Sequence, residues 1–345
     1  MSTFIINQKS TMVLIDALYI NNSGGLRLLK YLVDTLIQKG VDFYLLADKR
    51  CNGVFDYVQN VEYLKASLRN RTKWYKRDFT NYTSVLCFGN IPAPVKLSIP
   101  SYTYFHNINL LTLAEAHSAK VKAISWLKRE VFKRCKKNTD YWLVQTSNTA
   151  KELVRHLGES PERVKLMPFY ELPDGVADIA KQSHGDDYVF VAVDVPGKSH
   201  KELLEAWGIL HKKGAEKTLH LTVQDGSPLV ETIKEALNEG VKVVNHGVIP
   251  FPEVFELYKQ SKAIIYPSHN ESLGLGIVEA ITAGCDVIGS DLPFLHSICK
   301  PSGVFNPYSA ESIANAVIAY ERGKVKKSEL TIYNHIDELV RLLTN

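Results

Sequence analysis

The stretch "TMVLIDALYINNSGGLRLLKYLVDTLIQKGVDFYLLA", residues 11–47, has two short apolar runs separated by a longer amphipathic segment. Residues 11–17 and 41–47 have the length and composition of buried strands. Residues 24–40 carry apolar side chains at helical spacing and end on a glycine, which predicts an amphipathic helix. A strand, a helix and a strand in this order predict a βαβ unit, whose two strands run parallel in one sheet.

The alternation of strand and helix continues along the rest of the chain. Further strands are predicted at 84–89, 101–106, 141–147, 164–169, 188–194, 219–224, 241–247, 262–268 and 286–290. Further helices are predicted at 201–214, 228–240, 252–261 and 309–323. The polar segment 171–187 has a proline, two glycines and no hydrophobic period, which is typical of a linker between two such series.

The size of the chain agrees with two domains. Its 345 residues exceed the roughly 250–300 residues at which a single hydrophobic core stops growing. The hydrophobic content of 45% and charged content of 23% are close to those of soluble globular proteins. We therefore expect two doubly wound α/β domains, 1–177 and 178–329. A C-terminal helix at about 330–345 is an additional candidate element of the first domain.

Several classes of protein are disfavoured by the sequence. No run of about 18 apolar residues occurs, and the N-terminus lacks the pattern of a secretory signal peptide, so we expect a cytoplasmic protein. The five cysteines form an odd set with no CxxC pair and no histidine spacing suited to zinc. We expect them to be free thiols, mostly buried, and we expect no metal site.

The two halves of the chain differ in charge. Residues 1–177 hold 25 Lys and Arg against 15 Asp and Glu, whereas residues 178–345 hold 16 against 22. A basic half attracts anionic partners such as phosphates, nucleic acid or a membrane surface. Nucleic acid is the least expected of these, because no known binding module accompanies the basic residues.

Two basic segments are candidates for a membrane contact. Residues 117–138 predict a basic amphipathic helix, and residues 69–77, "RNRTKWYKR", add a second cluster. An apolar helical stripe usually packs on its own domain, in which case the charges form an ordinary solvated face. The alternative is that both clusters attract anionic lipid and a diphosphate-linked acceptor, because each basic residue near such a surface contributes about 1 kcal/mol.

The stretch "PSHNESLGLGIVEAITAG", residues 267–284, joins a predicted strand to a predicted helix. A helix that starts near Leu275 directs free N–H groups and its positive dipole end at the carboxyl edge of the sheet, which favours an anion such as phosphate. Glu271 precedes this helix, and Glu279 is expected on its first turn. Carboxylates repel a bare phosphate, so they are better explained as acceptors for sugar or ribose hydroxyls. The alternative is structural, because a first-turn glutamate stabilises a helix by about 0.3–1 kcal/mol without any ligand.

This stretch resembles the E-x7-E signature of retaining glycosyltransferase family 4, with Glu271 and Glu279 at the two acidic positions. Four other segments resemble that family as well. They are the glycine turn and helix "SGGLRLLKYLVDTLIQKGVDFYLL", the histidine-bearing strand end "SYTYFHN", the last unit of the acceptor domain "DYWLVQTSNTAKELVRHLG", and the lysine-led helix "KSHKELLEAW". The resemblance covers nearly the whole chain. It implies the GT-B fold, in which two Rossmann-like domains hold a nucleotide sugar in the cleft between them.

The resemblance also implies roles for individual residues. The donor sugar would be held by Glu271 and the backbone N–H groups of Leu273, Gly274 and Leu275, and the ribose by Glu279. Lys198 would neutralise the diphosphate, and Gly24 with Gly25 would bring backbone close to the same group. His106 would line the acceptor side near the donor sugar, and the base would pack near residues 246–249.

One position departs from the family pattern. The family usually has an arginine six residues before the lysine, and this chain has Ala192 there. Neutralisation of the diphosphate then falls on Lys198 alone or is shared with Lys201. The structural alternatives are a solvated loop and helix face for the two lysines, and a hydrogen-bonded core histidine for His106.

The expected reaction needs no cofactor and no metal. No Asp-x-Asp occurs in the chain, so a metal-bridged diphosphate is unsupported, and lysine and helix dipoles can stabilise the leaving group instead. Family resemblance implies retention of anomeric configuration. We expect a saccharide acceptor that is attached to a lipid carrier during surface polysaccharide synthesis at the inner face of the plasma membrane. A nucleotide-sugar epimerase of the same fold and a non-catalytic sugar-nucleotide-binding partner of another transferase are the alternatives.

Overall fold

The structure is a computed structural model that describes residues 12–21, 23–111, 130–172, 185–323 and 325–345. The chain divides into two compact units. Unit 1 comprises residues 1–171 together with 334–345, and unit 2 comprises residues 172–333. The predicted boundary at 177/178 lies outside the described residues.

Unit 1 is built on a seven-stranded sheet in the order β3-β2-β1-β4-β5-β6-β7. All neighbouring strands are parallel. The strands are β1 (Met12–Ala17), β2 (Phe43–Asp48), β3 (Val61–Leu64), β4 (Tyr82–Cys87), β5 (Ser101–Phe105), β6 (Tyr141–Val144) and β7 (Val164–Leu166). The interior strands consist almost entirely of buried side chains, as expected for a parallel sheet covered on both faces.

The helices of unit 1 form where the chain combines an apolar stripe with suitable ends. The described helices in its N-terminal part are α1 (Ser23–Gln38), α2 (Leu68–Trp74) and α3 (Ser147–Leu157). In α1, Leu28, Leu32 and Leu36 repeat at four-residue spacing and are all buried. The α3 helix begins at a Thr146 cap and stops at Gly158, whose left-handed conformation ends the helix.

Unit 2 contains a six-stranded parallel sheet in the order β10-β9-β8-β11-β12-β14 and a small antiparallel pair, β13-β15. The strands are β8 (Asp187–Phe190), β9 (Leu219–Leu221), β10 (Val243–Asn245), β11 (Ser261–Tyr266), β12 (Asp286–Ser290), β13 (Cys299–Lys300), β14 (Gly303–Phe305) and β15 (Glu329–Leu330). The helices are α4 (His200–Lys212), α5 (Leu229–Asn238), α6 (Phe251–Gln260), α7 (Leu275–Thr282), α8 (Pro293–His296) and α9 (Ala310–Arg322).

The C-terminal helix α10 (Ile336–Thr344) belongs to unit 1. Leu339 and Leu343 on this helix are fully buried. The hydroxyl of Ser84 in β4 donates a hydrogen bond of 2.6 Å to the carbonyl of Leu343, and Lys39 pairs with Asp337 at 2.8 Å. The α10 helix therefore forms part of the core of unit 1.

Each sheet has one point at which the strand order reverses. In unit 1 it lies between β1 and β4, and in unit 2 between β8 and β11. The loops on either side of such a point leave the sheet in opposite directions, so a crevice opens outside the carboxyl ends of the two strands. Open parallel sheets bind their ligands in this crevice.

The predicted α/β class with parallel sheets in two domains is confirmed. The strands β3, β13, β14 and β15 were not predicted. The β3 strand lies at a sheet edge and is only half-buried, so it lacks the apolar run that marks the central strands.

All five cysteines are free thiols and four are buried, as predicted. Among the described residues, no helix has the length and apolar character required to cross a bilayer.

Candidate active site

Two loops meet where the strand order of unit 2 reverses. One follows β8 and contains Gly197 and Ser199, and the other follows β11 and contains His269. The backbone N–H of His269 donates to the carbonyl of Gly197 at 2.8 Å, and the Ser199 hydroxyl lies 2.7 Å from Nε2 of His269. Ser199 has φ +48°, a left-handed conformation that is uncommon for a residue with a side chain. The two hydrogen bonds hold the loops in a fixed relation.

Lys198 and Glu271 form an ion pair across these two loops. The Nζ atom of Lys198 also lies 3.4 Å from the hydroxyl of Ser268, and the hydroxyl of Tyr266 donates to Oε1 of Glu271 at 3.1 Å. Burial, and after it the negative charge of Glu271, raises the pKa of Tyr266, so this hydroxyl stays protonated and remains a donor. The side chains of Lys198 and Glu271 are 20% and 17% exposed, so both remain accessible from the crevice.

The helix α7 starts directly beside this ion pair. Its first residue is Leu275, as predicted, and Gly274 precedes it with φ +65°. A β-carbon on Gly274 would lie 3.1 Å from side-chain atoms of Ile277 and Ile298. Glycine is therefore required for both the backbone conformation and the space. The first N–H groups of a helix have no partner within the helix, so α7 presents donors and a positive dipole end at this edge of the sheet.

Glu279 is placed differently from the prediction. It is the fifth residue of α7, and the first turn of this helix holds no acidic residue. The reason is that the helix begins at Leu275, which places Glu279 one full turn further along on the same face. Glu279 is also only 5% exposed. The structural explanation by a first-turn interaction with the helix dipole therefore does not apply to it.

The remaining predicted residue of unit 2 is Leu273, whose side chain is buried at 4% exposure. Its backbone lies between Glu271 and the start of α7, so a ligand could use only its main-chain groups. The structure thus brings Lys198, Glu271, Leu273, Gly274 and Leu275 into one neighbourhood, with Glu279 one helical turn below.

Unit 1 brings together Gly25 and His106. Gly24 and Gly25 both lie in the first turn of α1. A β-carbon on Gly25 would lie 3.2 Å from Cε1 of the His106 ring. His106 follows β5, and its ring stacks on Phe88 with 5.1 Å between ring centroids. The predicted glycine pair and the predicted histidine thus share the carboxyl edge of the sheet.

His106 is held by hydrogen bonds from two sides. Its Nε2 atom lies 3.1 Å from the Phe88 carbonyl oxygen, which accepts, and 3.3 Å from the side-chain amide nitrogen of Asn90, which donates, so the tautomer of the ring decides which of the two contacts is a hydrogen bond. Its backbone N–H donates to the side chain of Asn90 at 2.7 Å. Burial lowers the pKa of His106 to about 4, so the ring is neutral at pH 7. A neutral ring has one donor nitrogen and one acceptor nitrogen.

The turn after β4 supports this histidine and was not predicted to do so. Asn90 has φ +67°. At Gly89 a β-carbon would lie 2.1 Å from the Leu18 carbonyl, so the turn passes very close to the loop after β1.

The sequence analysis did not predict four residues of these sites, namely Asn90 in unit 1 and Ser199, Ser268 and His269 in unit 2. The available signal was their position, because each follows or ends a strand at a reversal point.

The predicted basic cluster 69–77 is exposed only in part. Arg71 is 3% exposed and pairs with the buried Asp16 at 2.8 Å, and its remaining N–H groups donate to the carbonyls of Pro92 and Ile91. Trp74 is buried as well. The charge of Arg71 is therefore used inside unit 1, where a buried guanidinium requires such partners.

The predicted basic helix 117–138 lies mainly outside the described residues, which resume at 130. Within 130–138, Phe132 is buried and contacts Trp142, with 5.3 Å between ring centroids. Lys133 pairs with Glu130 at 3.3 Å. The described part therefore packs on its own unit, in agreement with the structural alternative for the apolar side of this segment.

Comparison with known proteins identifies the second part of the chain. Residues 177–336 match the family described as "Glycosyl transferases group 1". This part of the chain is a group 1 glycosyltransferase domain. The domain includes the ion pair of Lys198 and Glu271, the start of α7 and Glu279.

Three individual proteins are similar to the chain that carries this glycosyltransferase domain. The "Serotype-specific mannosyltransferase WbdA" of Escherichia coli is 26% identical over 183 residues, which are 50% of this chain and 22% of the relative. The "O-antigen chain mannosyltransferase RfbU" of Salmonella typhimurium is 31% identical over 70 residues, 20% of each chain. The chain thus spans about a fifth of the length of these curated relatives. The solved "lipopolysaccharide outer core galactosyltransferase WaaB apo form" is 15% identical, with a TM-score of 0.65 over 96% of this chain and 95% of that one, which establishes a shared GT-B fold.

Proposed function

We propose that the protein is a retaining, metal-independent hexosyltransferase of glycosyltransferase family 4, with Glu271 and Glu279 as its E-x7-E pair. It moves a sugar from a nucleotide-sugar donor to a saccharide acceptor. The observation that carries the proposal is the pairing of Lys198 with Glu271 beside the start of α7, at the reversal point of the sheet in unit 2. The cation in this crevice matches the diphosphate of a nucleotide sugar, and the carboxylate matches the sugar hydroxyls. The helix N-terminus matches the negative charge that develops on the leaving group.

The donor replaces the ion pair of the free protein with two new contacts. The ammonium of Lys198 binds the diphosphate, and the carboxylate of Glu271 accepts hydrogen bonds from hydroxyls of the sugar. The N–H groups of Leu273, Gly274 and Leu275 bind the same region. Glu279 accepts from the ribose hydroxyls. Tyr266, whose hydroxyl donates to Glu271 at 3.1 Å, fixes the orientation of that carboxylate while the lysine changes partner.

In the proposed reaction the bond between the anomeric carbon and the phosphate oxygen breaks, and its electron pair leaves with the nucleoside diphosphate. Lys198 and the positive end of α7 stabilise this charge as it develops. The acceptor hydroxyl attacks the same face of the sugar and transfers its proton to the departing phosphate oxygen. His106 is neutral, and its Nε2 atom is held between the Phe88 carbonyl and the Asn90 amide, so it binds a hydroxyl of the acceptor through Nδ1.

The acceptor is proposed to be lipid-linked and the pathway to be cell-surface polysaccharide synthesis. The support is the nature of the relatives, whose descriptions name O-antigen and serotype-specific mannosyltransferases, together with the excess of basic residues in 1–177. Attachment of a cytoplasmic protein to the inner face of the plasma membrane is the corresponding proposal for its location.

The proposal is tested by replacing Glu271 with glutamine and measuring release of nucleoside diphosphate from a panel of sugar nucleotides, with and without acceptor. Glu271→Gln keeps the shape of the side chain but loses its charge, so we expect turnover to fall by about a hundredfold or more. The melting temperature should stay close to that of the unchanged protein.

The matched control is Glu235→Gln, at an exposed position of α5 in the same unit, which should retain full activity. Wild-type turnover in Glu271→Gln would contradict the assignment of this residue. An altered sugar nucleotide released without any acceptor would indicate the epimerase alternative. Donor binding without turnover would indicate a non-catalytic partner.

A further inference from the structure

A cavity of about 680 Å³ opens at the carboxyl ends of β1, β2 and β3 in unit 1. Cavities of roughly 300–1,000 Å³ are typical of small-molecule sites. Its lining comes from the segments that follow these three strands, namely Tyr19, Asp48, Lys49, Arg50, Lys65 and Ala66. None of these residues was among the predicted site residues, and none belongs to the crevice of unit 2.

The carboxylate in this lining is already neutralised. Asp48 is 1% exposed on its side chain and is bound by the guanidinium of Arg50 through both oxygens, at 3.0 and 2.6 Å. It also accepts from the backbone N–H groups of Arg50 and Tyr19. Burial raises the pKa of Asp48, but the hydrogen bonds and the charge of Arg50 lower this pKa by more than burial raises it. The pair therefore stays ionised and contributes no net charge.

Two positive charges remain without a counter-charge. Lys49 and Lys65 are both exposed and both line the cavity. Neither forms an ion pair with a carboxylate in the described part of the chain. The cavity therefore has an uncompensated charge of two ammonium groups, and an anion is the ligand that this field favours.

Tyr19 provides an independent observation. Its hydroxyl is buried and finds no hydrogen-bond partner among the described residues, and its backbone adopts φ +82°. Buried polar groups are nearly always satisfied, so an unsatisfied hydroxyl on a residue that lines the cavity marks a polar interior beside it. A phosphate group, with several acceptor oxygens and about 1.5 to 2 negative charges, matches the two ammonium donors of the lining.

We propose that this cavity binds a phosphate group of the acceptor substrate, through Lys49 and Lys65. The inference rests on the proposed function, because it identifies the chemical class of the acceptor: a phosphorylated saccharide or a saccharide on a phosphate-bearing lipid. The two sources share the phosphate chemistry that the lining recognises.

The test measures binding of inorganic pyrophosphate to the full chain by calorimetry. The proteins carry Lys198→Ala, which weakens binding of pyrophosphate at the proposed donor site. Addition of Lys49→Gln and Lys65→Gln together should weaken pyrophosphate binding by about tenfold or more, because two charge-assisted contacts are lost. Circular dichroism melting checks that each variant is folded.

The matched control replaces Lys30 and Lys151 by glutamine, since both are exposed in unit 1, lie outside the cavity lining and change the net charge equally. Its pyrophosphate affinity should stay unchanged. Equal affinity in the cavity variant and the control would overturn the inference. Donor hydrolysis is measured separately in the cavity variant with Lys198 intact, and should be retained. Absence of any donor turnover in the protein without substitutions would contradict the proposed function, whereas the pyrophosphate result would still stand.

Competition then separates the two sources of phosphate. A soluble hexose phosphate and phosphatidylcholine vesicles that carry a polyprenyl phosphate are each added to the protein with bound pyrophosphate. Displacement by one of them identifies the source, provided that the Lys49 and Lys65 variant does not bind it. Failure of both to displace pyrophosphate would overturn the assignment of the cavity to the acceptor.

Discussion

The absence of a side chain at Gly25 leaves the space that the ring of His106 occupies. Gly25 lies in the first turn of α1, and the place of its missing β-carbon is 3.2 Å from Cε1 of His106. That distance is shorter than an ordinary contact between carbon atoms, so a methyl group there would displace the imidazole by a few tenths of an ångström. The His106 ring also stacks on Phe88, which restricts its movement.

We therefore expect Gly25→Ala to reduce glycosyl transfer by roughly five- to tenfold while the free energy of unfolding changes little, because alanine is a better helix former than glycine. Initial rates and urea unfolding measure the two quantities. Gly208→Ala is the control, since Gly208 lies in α4 and a β-carbon there meets nothing within 4 Å. It should stabilise the protein by about 0.5–1 kcal/mol and leave activity unchanged. Full activity in Gly25→Ala would show that this contact does not position His106.

The start of α7 is the element on which the proposed donor site depends. Gly274 adopts φ +65°, and a β-carbon there would also approach Ile277 and Ile298 to 3.1 Å. Gly214, at the end of α4, has φ +75° but open space around its missing β-carbon. The two glycines share the backbone conformation and differ in packing, so a pair of alanine variants separates the two effects.

Both Gly274→Ala and Gly214→Ala should lose about 1–2 kcal/mol of unfolding free energy from the left-handed backbone. Gly274→Ala should lose about 1 kcal/mol or more beyond that, because the β-carbon pushes on two buried isoleucines. It should also weaken binding of nucleoside diphosphates, since the first N–H groups of α7 shift. Urea unfolding and calorimetric titration provide the measurements. Equal losses and unchanged binding in both variants would mean that α7 tolerates the side chain.

The elements that could be predicted from the sequence are those with a strong local pattern. The β1 and β11 strands are apolar runs, and the α7 helix begins after a glycine-rich loop, so their positions follow from local physics. The β3 and β14 strands are short and lie at sheet edges, where half-buried residues leave no run to detect. The acidic pair was visible as a spacing. The contact of Glu271 with Lys198, 73 positions away, depends on strand order, which no local pattern encodes.

At the scale of the whole molecule, unit 1 is formed by two separate parts of the chain, residues 1–171 and 334–345. After unit 2 the chain returns to unit 1, where α10 lies against the sheet and contributes the fully buried Leu339 and Leu343. Unit 1 is therefore discontinuous in sequence, and its core includes residues of α10. The length and composition predicted two domains, but they contain no signal for this long-range return beyond the apolar spacing of the final helix.

A core substitution in α10 should for this reason act on unit 1 although it lies next to unit 2 in the sequence. Leu339→Ala removes a fully buried side chain and should cost unit 1 about 2–5 kcal/mol. Hydrogen exchange followed by mass spectrometry should then show faster exchange in β1 and β4, with β8 and β11 unchanged. Leu237→Ala, at a leucine of α5 that is 48% exposed, should leave both sheets as protected as before. If Leu339→Ala instead loosened β8 and β11, the C-terminal helix would be energetically part of unit 2, because protection follows the core to which a residue contributes.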